Sequence, residues 1–193
     1  DALANWPAVS KTLALIRKAD KDVFFCLSTN GLYLPRYARE IAELGVDYVT
    51  VTVNALTSNT GAHIYSFVND AGKKYVGQEA AELLLNRQME GLQLLGSYGV
   101  KVKINTVAIP GVNMEEIPAI ARRMAVLGCK LHNILPMLPV EGTAFAHLAE
   151  PEAQEIAALR EVCQQWMPQM RHCSRCRADA VGTLAAACYG EEQ

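Results

Sequence analysis

Little in this 193-residue chain marks a surface for polyanions or lipid. Its 18 lysines and arginines against 20 aspartates and glutamates give a net charge of -2, so no basic excess exists to capture nucleic acid or an anionic membrane. The sequence has no uninterrupted apolar stretch long enough to cross a bilayer and no recognisable secretory leader, which leads us to expect a reducing, cytoplasmic setting. Six cysteines are too few for a disulfide scaffold at this length, leaving metal ligation, catalysis or packing as their uses. A second C-x-x-C is missing, so a four-cysteine zinc site would need scattered partners. What the chain does have is 51% hydrophobic residues, enough for a substantial core and against disorder. It begins at Asp1 rather than Met, and we expect it to be a fragment.

Strand-like and helix-like segments alternate. VFFCLS (Val23 to Ser28) is an apolar strand ending in the turn Thr29-Asn30-Gly31, and Pro35 opens a helix that stops at Leu44-Gly45. YVTVTVN (Tyr48 to Asn54) alternates strictly. Gln78 to Tyr98 has Ala81, Leu84, Leu85, Met89, Leu92 and Leu95 on one helical side, and Gly99 as its stop. KVKINTVA (Lys101 to Ala108) is a third strand. Asn113 and Glu116 have capping-box spacing ahead of a helix that runs to Leu127-Gly128. LHNILPM (Leu131 to Met137) is the fourth strand, and from Pro151 a helix places Ile156, Leu159, Val162, Cys163 and Trp166 on a shared face.

This order predicts parallel strands joined by helical crossovers. Strands sandwiched between helices on both faces read as continuous apolar sequence, whereas these alternate. Val49, Val51 and Val53 oppose Thr50, Thr52 and Asn54; Val102, Ile104 and Thr106 oppose Lys101, Lys103 and Asn105; Phe25, Leu27 and Thr29 oppose Cys26, Ser28 and Asn30. Outer helices and a polar lumen satisfy all three strands. The fold class is therefore α/β, a partial (β/α) barrel of parallel strands with outer helices. Four strands cannot close a packed barrel of roughly eight, so we expect the first strands to be missing and the segment up to Lys18 to follow a lost one.

Sites in such folds lie at the C-terminal ends of the strands. Those ends carry Ser28 to Gly31, Asn54, Asn105 to Val107 and Pro136, which are polar but uncharged and suit a neutral or zwitterionic ligand. The connection from Ala55 to Gly77 carries His63, Tyr65 and Tyr75, and its length is that of a lid or binding loop.

RHCSRCRADAVG (Arg171 to Gly182) is the strongest local signal. Cys173 and Cys176 can reach one metal centre, His172 adds an imidazole, and Arg171, Arg175 and Arg177 would stabilise thiolates or an anionic iron-sulfur cluster. Half a zinc site, a redox dithiol and two packed thiols are the alternatives for a bare C-x-x-C. Cys163 reads as core, Cys129 and Cys188 as incidental thiols, and His63, His132 and His147 lack spaced partners.

The run CLSTNGL (Cys26 to Leu32), the strand VTVTVNA, GAHIY (Gly61 to Tyr65), KVKINTVAIPGVN (Lys101 to Asn113), LHNILPMLP and RHCSRCRADAVG resemble, in that order, the NifB family of radical S-adenosylmethionine (SAM) enzymes. Even DALAN resembles the end of a family segment that follows the second barrel strand. The resemblance implies nitrogenase cofactor biosynthesis: fusion of two 4Fe-4S clusters with insertion of a carbide drawn from the SAM methyl group. It implies 4Fe-4S clusters and SAM as cofactors. It also implies cluster-donor and cofactor-carrier proteins of nitrogenase assembly as partners, with no nucleic acid and no membrane. Carried over by residue, Cys26 would ligate one substrate cluster and Cys173 and Cys176 the other, while Ser28, Asn30, Thr52, Asn54 and Asn105 fall where SAM is contacted. Residues 1–170 would then be the C-terminal part of the barrel and 171–193 a C-x-x-C cluster-binding segment. The radical-generating C-x-x-x-C-x-x-C occurs nowhere in the chain, so these residues alone are expected to be inactive. Two other classes stay open: another radical SAM enzyme with an auxiliary cluster, and a non-catalytic iron-sulfur or metal carrier.

Overall fold

The computed structural model describes residues 1–170. Asp1 caps a single 3-10 turn, Ala2–Asn5, which runs into α1 (Trp6–Ala19). There follow β1 (Cys26–Thr29), α2 (Leu34–Glu43), β2 (Tyr48–Thr52), α3 (Ser58–Ile64), the short strands β3 (Val68–Asp70) and β4 (Lys73–Tyr75), and α4 (Gly77–Ser97). The chain continues through β5 (Lys101–Ala108), α5 (Ile117–Val126), β6 (Leu131–Pro136) and α6 (Ala153–Gln164). Four strands form a parallel sheet in the order β1-β2-β5-β6, as the alternating pattern predicts.

Period-2 alternation decides which face meets the helices. Leu27, Val49, Val51, Val53, Val102 and Ile104 are buried together with Leu34, Ala38 and Ile41 of α2, Leu92 and Leu95 of α4, and Ile120 and Met124 of α5. Each valine, leucine, isoleucine or methionine among them contributes about 1.5–3 kcal/mol by leaving water. A second cluster joins Ala108 and Ile134 of the sheet to Ile117 and Ala121 of α5 and Ile156 and Cys163 of α6. Cys163 is thus core, as expected, but Val162 (45% exposed) turns outward, because the helix contacts the sheet over a narrower stripe than its apolar sequence suggests, and Trp166 (36%) lies past the end of the helix at Gln164 and is not on its face.

Several boundaries differ from expectation for identifiable reasons. β1 starts at Cys26 rather than Val23, because the first residue of β2, Tyr48, is already opposite Cys26. Ahead of it only the Phe25 carbonyl still meets backbone, accepting from Asp47 and Tyr48 N–H (3.1 Å each), and side chains hold the rest: Phe25 N–H donates to Asp47 Oδ2 (2.8 Å) and Val23 O accepts from Arg17 (2.6 Å). The Asn113–Glu116 capping box does not form. Asn113 Oδ1 accepts from Ile109 N–H (2.8 Å), and its Nδ2 donates to Asn54 O (2.9 Å) and Val107 O (2.8 Å), so this buried side chain fastens the ends of β2 and β5. Pro151 lies two residues before the first residue of α6, ahead of the N-cap Glu152, and first-turn Glu155 accepts from Glu152 N–H at 2.8 Å.

The connection from Ala55 to Gly77 is not a free lid. Thr57 caps α3 by accepting from Thr60 N–H (3.1 Å), and Gly61 lets α3 approach α4 so closely that a Cβ there would lie 2.7 Å from Ala81 Cβ. The hairpin β3–β4 turns at Ala71-Gly72, both at positive φ (50° and 88°). Val68 packs with Leu32, Ala80 and Leu84, bordered by Tyr65 and Tyr75. α3 and β3 thus pack against α4, and β4 is paired to β3.

At the far edge the backbone of Pro168 to Met170 pairs with His132 of β6 in parallel fashion. His132 is fully buried. Thr106 spends its one hydroxyl proton on Val53 O (2.7 Å), so the imidazole Nε2–H must donate to Thr106 Oγ1 (3.0 Å). Burial holds His132 down to about 4, against 6.5 for the free side chain. Below pH 6.5 the unfolded chain takes up a proton that the folded one refuses, so stability falls as the pH drops from 6.5 towards 4. We expect the full-length protein to lose about 2 kcal/mol from this group between pH 7.5 and 5. Urea midpoints at the two pH values should show the loss in the wild type and a correspondingly smaller one in His132→Gln.

Candidate functional site

The face of the sheet turned away from the helix core carries polar side chains in rows set by the strand registers. Cys26, Tyr48 and Lys101 share one row, Ser28, Thr50 and Lys103 the next, and Thr52, Asn105 and Asn133 the third. Among the described residues, Lys101 and Lys103 are the only charged side chains on this face of the four strands, and both are cations. Lys101 Nζ lies 5.3 Å from the centre of the Tyr48 ring. Above the third row, the strand ends open into Asn30-Gly31, Asn54 and Ile109-Pro110.

Cys26 is exposed, with its sulfur 3.8 Å from Thr50 Oγ1. It begins β1 rather than ending it, so it sits two residues, about 7 Å, below Ser28 and four, about 13 Å, below Asn30. The thiol candidate and the polar lip are therefore at different depths on one surface. Cys129 and Cys163 are buried, and desolvation pushes their thiols up to about 12 and about 11. Neither can easily supply a thiolate, in keeping with the bystander reading. Among the described residues no three His, Cys, Asp or Glu side chains gather into a metal site, so Cys26 offers a single ligand. Cys173, Cys176 and the rest of the C-x-x-C segment, with Cys188, lie outside the described residues. The chain reaches that segment from Met170, paired with β6.

The sequence-predicted cofactor residues divide into two kinds. Ser28 and Asn30 are exposed and Thr52 and Asn105 half-buried on the polar face, positioned to meet a ligand. Asn54 is buried, and its Oδ1 accepts from Val107 N–H (2.9 Å). Its side chain also meets Tyr65, whose hydroxyl is pushed up to about 12 by burial. Asn54 thus ties β2 to β5 and to the connection after it.

Asn133 belongs to the site and escaped the sequence reading. It is buried, its Nδ2 donates to Asn105 Oδ1 (3.3 Å), and its own Oδ1 has no hydrogen-bond partner among the described residues. A buried acceptor left open on a polar face is what a bound donor group would complete. An asparagine in phase with Leu131 and Leu135 inside an apolar strand was the available signal. The uncharged lip and the open Asn133 acceptor fit a zwitterionic cofactor with hydroxyl and amine donors, such as SAM. Nothing among the described residues fits a cluster needing three thiolates.

The radical SAM superfamily model matches residues 1–124. The FeMo cofactor biosynthesis protein NifB of Klebsiella pneumoniae is 45% identical over 188 residues, covering 95% of this chain and 40% of that protein. NifB of Bradyrhizobium diazoefficiens is 44% identical over the same share of this chain and 38% of its own length, and NifB of Chlorobaculum tepidum is 40% identical, covering 95% and 43%. Among solved structures, the radical SAM methyltransferase TsrM of Kitasatospora setae, with cobalamin and a [4Fe-4S] cluster bound, covers 90% of this chain and is covered to 34%, at 14% identity and a TM-score of 0.49. The chain spans about two-fifths of the length of the curated relatives it matches.

Proposed function

Since the chain belongs to the radical SAM superfamily, we propose that it forms the later part of the barrel of a NifB-type enzyme that builds the iron-sulfur-carbide precursor of the nitrogenase cofactor. SAM, when bound, supplies the methyl carbon and the radical chemistry that turns it into carbide. The work of these residues is to bind and orient. Ser28, Asn30, Thr52 and Asn105 would hydrogen-bond the cofactor at the strand ends, with Asn54 bracing the lip from behind. Cys26 would take one iron of a substrate 4Fe-4S cluster, and Cys173 and Cys176 would hold the second. Lys103, in the row beside Thr50, places a positive charge where an anionic cluster would otherwise be disfavoured. No radical-generating step is assigned to this chain, because it has no C-x-x-x-C-x-x-C.

The observation that carries the proposal is the exposed Cys26 thiol on a polar face whose only charges, among the described residues, are cations. The setting is proposed to be cytoplasmic; among the described residues no helix is long and apolar enough to cross a membrane. Cluster-donor and cofactor-carrier proteins of nitrogenase assembly are the proposed partners. Anaerobic reconstitution of the full-length protein with iron and sulfide tests the reading. A NifB-type enzyme should cleave SAM and consume its bound substrate clusters, whereas a protein that binds one centre and never cleaves SAM would be a carrier.

A further inference from the structure

Gln88 sits in the middle of α4, on the side packed against the sheet, and is 2% exposed. A buried amide among leucines needs partners. It finds them in two backbone carbonyls: its Nε2 donates to Asn30 O (2.6 Å) and to Thr52 O (2.9 Å). These carbonyls belong to the ends of β1 and β2, where the polar lip begins.

The same loop is held from the other side. Asp1 Oδ2 accepts from Asn30 N–H (2.6 Å), and both its carboxylate oxygens accept from Thr29 Oγ1 (3.0 Å each). Thr29 Oγ1 in turn accepts from Gly31 N–H (3.1 Å), and Asn30 Oδ1 from Leu32 N–H (2.9 Å). The peptide groups on both sides of Asn30, and its side-chain oxygen, are therefore engaged. Its Nδ2, on an exposed residue in phase with Cys26 and Ser28, has no partner among the described residues. Gly31 completes the arrangement. At φ +91° its ideal Cβ would lie 2.8 Å from Gln88 Cγ and 3.2 Å from Val51 Cγ1, so the loop can close on the glutamine only where a side chain is absent.

We propose that Gln88 is a positioning residue that acts through Asn30: with Asp1, it clamps the Asn30 backbone so that Nδ2 is presented in one fixed direction to an acceptor of the bound SAM. The inference rests on the reading of Asn30 as a cofactor contact. An asparagine on an unclamped loop would have to be ordered on binding, and the clamp removes that cost beforehand.

SAM affinity of the anaerobically reconstituted full-length protein, measured by equilibrium binding, tests this through a double-mutant cycle. Gln88→Met keeps the length of the side chain and removes both donors; Asn30→Ala removes the contact. Each single variant is expected to weaken SAM by about 10-fold, the size of one lost hydrogen bond. The double variant should bind no worse than Asn30→Ala alone. Losses that multiply in the double variant, or a Gln88→Met protein with lowered melting temperature but unchanged affinity, would reduce Gln88 to a structural amide and overturn the proposal. Unchanged affinity in Asn30→Ala would remove the contact and the clamp together. A wild type that fails to bind SAM would instead overturn the functional reading.

Discussion

Cys26→Ala in the full-length protein is expected to remove the iron of one four-iron cluster from the reconstituted enzyme and to abolish formation of the cofactor precursor. The sulfur is exposed on the polar face, and its contact with Thr50 Oγ1 at 3.8 Å, its one hydrogen-bond partner among the described residues, is too weak to hold it there for structural reasons. Removing it should therefore leave folding intact, and a change confined to iron content and product is the signature of a ligand. SAM binding should survive, because the proposed cofactor residues lie higher on the face, at Ser28 and beyond. Iron analysis, electron paramagnetic resonance and a SAM binding curve on the same sample separate these outcomes. A Cys26→Ala protein with full iron content and full product would mean that the substrate cluster is anchored elsewhere. Buried Cys129 and Cys163 provide the contrast: alanine there should lower stability and leave iron content unchanged.

The second large effect is expected where two helices meet. Gly91 of α4 faces Leu34 of α2, and a Cβ at position 91 would overlap Leu34 Cβ and come within 3.3 Å of its Cα. The obstruction involves backbone as well as side chain, so a change of rotamer cannot relieve it and the helices must part. Gly91→Ala is expected to cost about 3 kcal/mol in overpacking, offset by ~1 kcal/mol of better helix propensity. The remaining ~2 kcal/mol corresponds to a melting temperature lower by about 4–8 °C. Gly96, on the same helix, supplies the control. The nearest atom to its added Cβ is Leu127 O at 3.6 Å, an ordinary contact, so Gly96→Ala should gain up to ~1 kcal/mol. If Gly91→Ala were as stabilising as Gly96→Ala, the close crossing of α2 and α4 would be wrong. Because α4 also carries Gln88, displacing it should weaken SAM binding as well.

The parts of the fold legible in the sequence are those with one dominant cause. Alternation in Lys101–Ala108 gave β5 with its register of faces, since one side meets the apolar core and the other does not. The same alternation put Cys26, Ser28, Thr52 and Asn105 on a shared surface, and the strand registers align them there. What escaped depended on partners distant in sequence. Gln88 and Gly91 interrupt an apolar helix face, and nothing local says that one reaches the carbonyls of Asn30 and Thr52 while the other admits Leu34. Asn113 has the spacing of a helix cap, but the strand ends at Asn54 and Val107 offer it better-placed acceptors than the helix offers donors. The connection from Ala55 to Gly77 read as a loop because its hairpin turns on Ala71-Gly72 rather than on the Asn-Gly or Asp-Gly that announces such turns.

The central claim is that this polar face serves carbide formation on an iron-sulfur substrate. The most direct measurement supplies the full-length reconstituted protein with SAM labelled at its methyl carbon and follows the label. We predict that the label enters the protein-bound iron-sulfur product in the wild type and is absent from it in Cys26→Ala. Cleavage of SAM with no label in any iron-sulfur species would contradict the account and assign this face to a different radical SAM reaction.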